Sequence, residues 1–132
     1  MNGNRALARR IFEYGVYLVV VLVVVQVLLA GLGVFASATF FSWHAGVNGA
    51  LVFFVPLLLI LAGWYGGVPV RTRLLMAAIP GLVILQSLLI IPYRSNVQGP
   101  LRAIAGLHAA NALFIFWVAL QLVDRVRVPR KA

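Results

Sequence analysis

No cysteine occurs in this chain of 132 residues. That excludes structural disulfides, thiolate metal sites and covalent haem attachment. Acidic residues are almost as scarce: Glu13 and Asp124 are the only two. Both fall at the ends of apolar stretches, too far from the histidines for acid–base work with them. Nothing in the chain resembles a nucleophile paired with a base. Histidine occurs twice, at His44 and His108, each inside a stretch that otherwise reads as bound for lipid.

What is abundant is apolar: 64% of the residues are hydrophobic and only 10% are charged. A soluble domain of this size carries more charge. Tyr14 to Val70 holds no Asp, Glu, Lys or Arg for 57 residues, Leu74 to Tyr93 none for 20, and Ala103 to Val123 none for 21. A bilayer-spanning helix needs about 20 apolar residues. The first run is long enough for two crossings and each of the others for one. The expected fold is therefore all-α: a polytopic membrane protein forming an antiparallel bundle of four transmembrane helices. It reads as one domain over residues 1–132, with spans near 12–35, 39–64, 74–91 and 101–123.

The breakers agree. "ASATFFSW" makes an uncharged turn after the first span, and "YGGVPVRTR" a turn with Gly66, Gly67 and Pro69 after the second. "IPYRSNVQGP", bracketed by Pro92 and Pro100, follows the third. The net charge of +9 could suggest nucleic acid. Its placement at the ends and turns of apolar spans points instead to lipid headgroups and topology control, with no nucleic-acid partner. Nine of the eleven basic residues lie in the two tails and the middle turn. The positive-inside rule then places both termini in the cytoplasm of a bacterium, with the chain in its inner (plasma) membrane. The Arg-rich start followed by "ASA" at Ala36 to Ala38 also resembles a signal peptide. Its apolar core of about 20 residues exceeds the ~7–15 of such segments, so the first span is read as uncleaved. Pro56 and Pro80 lie inside spans two and three, and are expected to kink them and shape the bundle.

The chain reads as a doubled helix pair. Gln26 and Gln86 each sit 13 residues past the preceding charge, Glu13 and Arg73. Each precedes a turn and then a helix carrying His-Ala and a nearby asparagine. His44 and Asn48 share a face at i, i+4; His108 and Asn111 share one at i, i+3. Gln26, Ala30, Gly33 and Ser37 make a small, polar stripe along the first span, suited to close packing or to a bulky planar guest. Tyr93 lies on the face of Gln86, two turns on. At about 1.5 Å per residue, both glutamines lie ~20 Å from the cytoplasmic end, His108 ~22 Å and His44 ~30 Å. All four fall in the outer half, with the histidines expected to be offset by ~7 Å.

Ionisable groups inside a bilayer are expensive and usually face the bundle interior. One reading makes His44 an interfacial residue beside Trp43 and His108 a hydrogen-bonding partner of a neighbouring helix. The other makes the pair axial ligands of a haem iron, presented across the bundle axis by helices two and four. Without cysteine the group would be haem b, held by ligation and packing. Asn48, Asn111, Gln26 and Gln86 would satisfy the second ring nitrogens. Arg94 and Arg102, the outer-side charges, would face the propionates, Arg102 about 9 Å above His108; ordinary headgroup contacts would explain them equally. Two histidines without carboxylates make a poor zinc or di-iron site.

The residue order "QVLLAGLGVF", "WHA", "LQSLL", "LHAANALFIF" resembles a family of small, uncharacterised four-helix bacterial integral membrane proteins, over nearly the whole chain. More distantly it is similar to one four-helix half of haem A synthase. That resemblance implies haem-facing histidines on the second and fourth helices, the positions of His44 and His108, and glutamines on the first and third, the positions of Gln26 and Gln86. The enzyme's outer-loop glutamate and cysteine pair have no counterpart in "ASATFFSW", and the second bundle is missing. The resemblance thus implies a haem-binding bundle and speaks against haem A synthesis.

The expected function is a small membrane-embedded b-type haem protein, an electron carrier or haem holder rather than a catalyst, exchanging electrons with quinone or another redox partner. The alternative is a non-redox accessory subunit of a larger membrane complex, or a lipid-binding bundle. A transporter ranks third, because the helices carry no buried charge to couple to.

Overall fold

A computed structural model describes residues 2–127; Arg130 and Lys131 of the basic C-terminal tail lie outside the described residues. Four long helices cover Gly3–Phe35, Thr39–Tyr65, Val70–Arg94 and Pro100–Arg127, and among the described residues there are no strands. The four apolar spans read from the sequence lie inside them. The first helix carries the β-branched run of Val19, Val20 and Val23 to Val25, a composition that favours strands in water. In hydrocarbon each backbone amide must find its partner within the segment, and that requirement selects helix over strand. All four helices are long and apolar enough to cross a bilayer, and large apolar side chains cover the outside, including Leu58, Leu113 and Trp64. The chain is a multi-pass membrane protein with an all-helical bundle fold.

The first helix starts earlier than its apolar run, because Asn2 caps it by accepting from the Arg5 amide at 3.2 Å. Its 33 residues span about 50 Å, so Arg5, Arg9 and Arg10 ride on the helix beyond the hydrocarbon-length portion. The turn between helices two and three is shorter than the sequence suggests. Gly67 takes φ +71°, Val68 closes back on the Gly63 carbonyl at 2.8 Å, and Pro69 already precedes the next helix. Arg73 folds back so that its Nε donates to the Val68 carbonyl at 3.1 Å.

Each helix packs against the next in sequence, and the fourth closes on the first; helices one and three, and two and four, stand diagonally opposed. The core is confined to the half of the bundle that holds the chain termini. Phe12, Val16, Val19, Met76, Ile79 and Leu122 are fully buried there, and Pro56 and Pro80 are buried alongside them. Helices one and two approach closely through glycines: a Cβ at Gly15 would collide with the Leu59 side chain, one at Gly63 would lie 2.7 Å from Phe12, and one at Gly66 2.7 Å from the Arg9 backbone. The other half, which holds the two loops, is built differently. From Val24 to Val47 only Gly33 is buried, and from Gly81 to Ala110 nothing is.

Candidate functional site

The two histidines meet where the packed half ends. Helices two and four are diagonal, so inward side chains at one depth converge on the bundle axis. The His44 and His108 ring centroids are 6.3 Å apart, with the ring planes at 46°. The expected 7 Å depth offset is therefore corrected: it would exceed the whole separation of the rings. The error lay in the helix ends, not the histidines, since the fourth helix runs on to Arg127 rather than stopping at Val123.

Each ring is held by its preceding helix. His44 Nδ1 lies 2.9 Å from the Gln26 carbonyl oxygen, and His108 Nδ1 lies 2.9 Å from the Gln86 carbonyl oxygen. A carbonyl only accepts, so Nδ1 carries the proton and Nε2 of the neutral ring keeps its lone pair. One turn toward the termini, buried Asn48 donates through Nδ2 to the Leu22 carbonyl at 2.9 Å and to the Gln26 side-chain oxygen. Buried Asn111 does the same with the Leu82 carbonyl, at 2.9 Å, and the Gln86 side-chain oxygen. The anticipated set of His44, His108, Gln26, Gln86, Asn48 and Asn111 is thus one cluster. Its wiring differs in one respect from the expectation: backbone carbonyls, not amide side chains, satisfy the rings, and the side-chain amides tie helix to helix.

The doubling is close but not perfect. Gln26 and Gln86 are 60 positions apart, as are Leu22 and Leu82, whereas Asn48 and Asn111 are 63 apart and His44 and His108 64. The first pair thus carries one more residue between histidine and asparagine. A widened π-helical turn over Trp43–Asn48 absorbs it, with the Gly49 amide reaching back five residues to the His44 carbonyl. Spacings of four and three residues thereby deliver the same contacts. The widened turn also presents the His44 carbonyl to Gln26 Nε2, which donates to it at 2.8 Å. Gly49 makes room for that bond: a Cβ there would lie 3.1 Å from the His44 oxygen and 3.8 Å from Gln26 Nε2. The equivalent position in the second pair is Ala112, 63 residues on. The sequence offsets were the available signal for the extra residue, and Gly49 had none beyond being a glycine beside Asn48.

Beneath the cluster, a cavity of about 50 Å³ is lined from all four helices by Val23, Gln26, Val52, Gln86, Ala112 and Ile115, among others. Arg94 and Arg102 lie exposed at the loop end, where the Arg102 guanidinium stacks 5.1 Å from the Tyr93 ring centre. Among the described residues neither arginine hydrogen-bonds to the histidine cluster, and no group of three or more His, Cys, Asp or Glu side chains gathers as a metal site.

Fold and site together define a four-helix integral membrane protein with one inward-facing histidine on each of two diagonal helices. The chain belongs to a family of unknown function, DUF6220, whose model matches residues 26–93. That segment takes in Gln26, His44, Asn48 and Gln86 and stops short of His108 and Asn111. No curated protein and no solved structure matches the chain.

Proposed function

We infer that the bundle binds one haem b, with His44 and His108 as its axial ligands, and serves as a small electron carrier or haem holder. The observation that carries this reading is the ring separation. Two metal–nitrogen bonds of about 2.0 Å, with about 1.2 Å from each nitrogen to its ring centre, place trans imidazoles roughly 6.4 Å apart. The rings stand at 6.3 Å. The tautomer agrees, since both Nδ1 protons are engaged by carbonyls and both Nε2 lone pairs are free for a metal. Space agrees as well, because almost nothing is buried in the loop half around the rings. The residue order, which resembles one four-helix half of haem A synthase, implies the same ligand pair.

When bound, such a group supplies one-electron exchange. The chain's own residues would orient it. Gln26 and Gln86 fix the imidazole planes through their carbonyls, Asn48 and Asn111 brace the helices on the side of the packed core, and Arg94 and Arg102 offer positive charge to propionates at the loop rim. Quinone or another redox partner would supply the electron. The basic tails and middle turn would keep both termini in the cytoplasm of a bacterial cell, with the haem in the outer half of its inner membrane.

The test is a reduced-minus-oxidised visible spectrum of detergent-purified protein produced with a haem supply. A sharp α-band at the b-type position, with one haem per chain, is expected. Replacing both histidines by alanine should abolish it. A flat spectrum from well-folded protein would overturn the reading, and a partner protein co-purifying in its place would favour an accessory subunit.

A further inference from the structure

The two histidines are matched in position but not in how firmly they are held. Gln26 grips His44 twice, through its carbonyl to the ring and through its side-chain amide to the His44 backbone oxygen at 2.8 Å. Gln86 grips only the His108 ring; its side-chain oxygen accepts from Asn111, as that of Gln26 does from Asn48, but its Nε2 makes no bond to the His108 backbone. The reason is local: the second pair lacks the widened turn that offers up a carbonyl, and Ala112 stands where Gly49 leaves room.

The segments leading into each histidine differ in the same direction. His44 is the second residue of the widened π-helical turn Trp43–Asn48, which follows one α-helical turn, Thr39–Ser42, and Phe41 in that turn packs onto Gly33, where a Cβ would lie 2.7 Å from the Phe41 ring. His108 is the second residue of its α-helix. It follows a seven-residue 3₁₀ stretch, Pro100–Gly106, in which no residue is buried. Runs of 3₁₀ helix this long are uncommon because their hydrogen bonds are poorly aligned. The loop before it turns through Asn96 and Gly99, both at positive φ. No residue of Thr39–Ser42 is buried either, so the difference lies in the backbone: poorly aligned bonds place the 3₁₀ segment at the low end of local stability.

We propose that His108 is the exchangeable ligand. On the reduced haem it yields its position to a small neutral diatomic molecule, carbon monoxide or nitric oxide in chemical class, while His44 stays bound. This rests on the haem reading above. With carbon monoxide the step balances simply: the iron–Nε2 bond to His108 breaks, neutral imidazole leaves with its electron pair, and an iron–carbon bond forms from the incoming pair. The iron does not change oxidation state. Opening of the segment over residues 100–108 lets the ring swing away, and the grip of Gln26 denies His44 the same movement.

The experiment uses the full-length haem-loaded protein in detergent, reduced with dithionite and exposed to carbon monoxide. A carbon monoxide spectrum is expected. His108→Ala should keep haem in five-coordinate, high-spin form and bind carbon monoxide more tightly, while His44→Ala should lose haem. Gly49→Ala changes no ligand but crowds the Gln26–His44 bond, and should raise carbon monoxide binding by loosening the second grip. In the apoprotein, amides of residues 100–108 should exchange hydrogen roughly tenfold faster than those of 43–49. A haem-loaded protein that refuses carbon monoxide overturns the inference, as does one whose His44→Ala variant is the one that keeps haem. So does equal exchange in the two segments, which can be read even where a variant fails to fold. A wild-type protein that takes up no haem at all sinks the haem reading itself, and is recognised by its flat spectrum before any carbon monoxide is added.

Discussion

At the scale of single residues, the buried amides carry the organisation of the site. Asn48 and Asn111 each bridge a backbone carbonyl and a glutamine oxygen on the preceding helix. Interhelical hydrogen bonds in bilayers average under 1 kcal/mol and reach about 1.7. Asn48→Leu and Asn111→Leu should therefore each destabilise the bundle by about 1–2 kcal/mol, read as a lower midpoint of unfolding in mixed micelles. The glutamines should not behave alike. Gln26→Leu removes two side-chain bonds where Gln86→Leu removes one, so Gln26→Leu should be the more damaging by roughly 0.5–1 kcal/mol in the same assay. Equal losses would mean that the Gln26–His44 carbonyl bond adds nothing.

The participants were legible at this scale because polar side chains are conspicuous among leucines and valines. Their bonding was not. Which atom satisfies a histidine depends on which carbonyl faces it, and that is set by helix rotation rather than by side-chain type. Reading Gln26 and Gln86 as side-chain partners of the rings was a natural inference from residue chemistry. Their carbonyls hold the rings instead, and the side chains reach one turn away.

At the scale of elements, two features merit separate tests. The first is the turn at Gly66, where a Cβ would meet the Arg9 backbone at 2.7–2.8 Å, and backbone cannot yield as a side-chain tip can. Gly66→Ala should cost about 1–3 kcal/mol, whereas Gly31→Ala, with nothing within 4 Å, should be neutral or mildly stabilising. Both values come from the unfolding midpoint. The second feature is the widened turn. Deleting Gly46 would give the first pair the three-residue histidine–asparagine spacing that the second pair already uses. The shortened helix should fold with both rings still anchored. Deleting Ala110 leaves a two-residue spacing that no helical turn accommodates, and should abolish the fold or the pairing of the rings. Retention of a native-like midpoint by the first variant and its loss in the second is the expected result.

Helix existence and number were legible because lipid leaves the backbone no alternative. Helix ends were less so: the first helix gathers in its arginines under the Asn2 cap, and Val70 to Arg73 are helical where a charged turn was expected. The extra residue between His44 and Asn48 was visible as a change in spacing, but sequence periodicity alone does not say that a helix will widen rather than rotate.

At the scale of the whole molecule, the bundle is two structures end to end. Met76 and Ile79 are fully buried in the terminal half, while Leu85, in the loop half of the same helix, is 43% exposed. Met76→Ala or Ile79→Ala should cost about 2–5 kcal/mol, and Leu85→Ala less than about 1, judged by unfolding of the protein without added ligand. On the proposed haem reading, loading with haem should raise the unfolding midpoint, and protect amides of the loop half more than those already locked in the core. This contrast between the halves could not be read from composition, because the loop half is as rich in leucine and isoleucine as the packed half.

Beyond the small cavity at Gln26 and Gln86, the packed core of the terminal half closes that end of the bundle. Phe12, Met76, Ile79 and Leu122 are fully buried on the terminal side. The approach to the histidines is therefore from the loop half, where almost nothing is buried. A bundle packed this way should leave the proton permeability of sealed vesicles unchanged, read with an entrapped pH-sensitive dye.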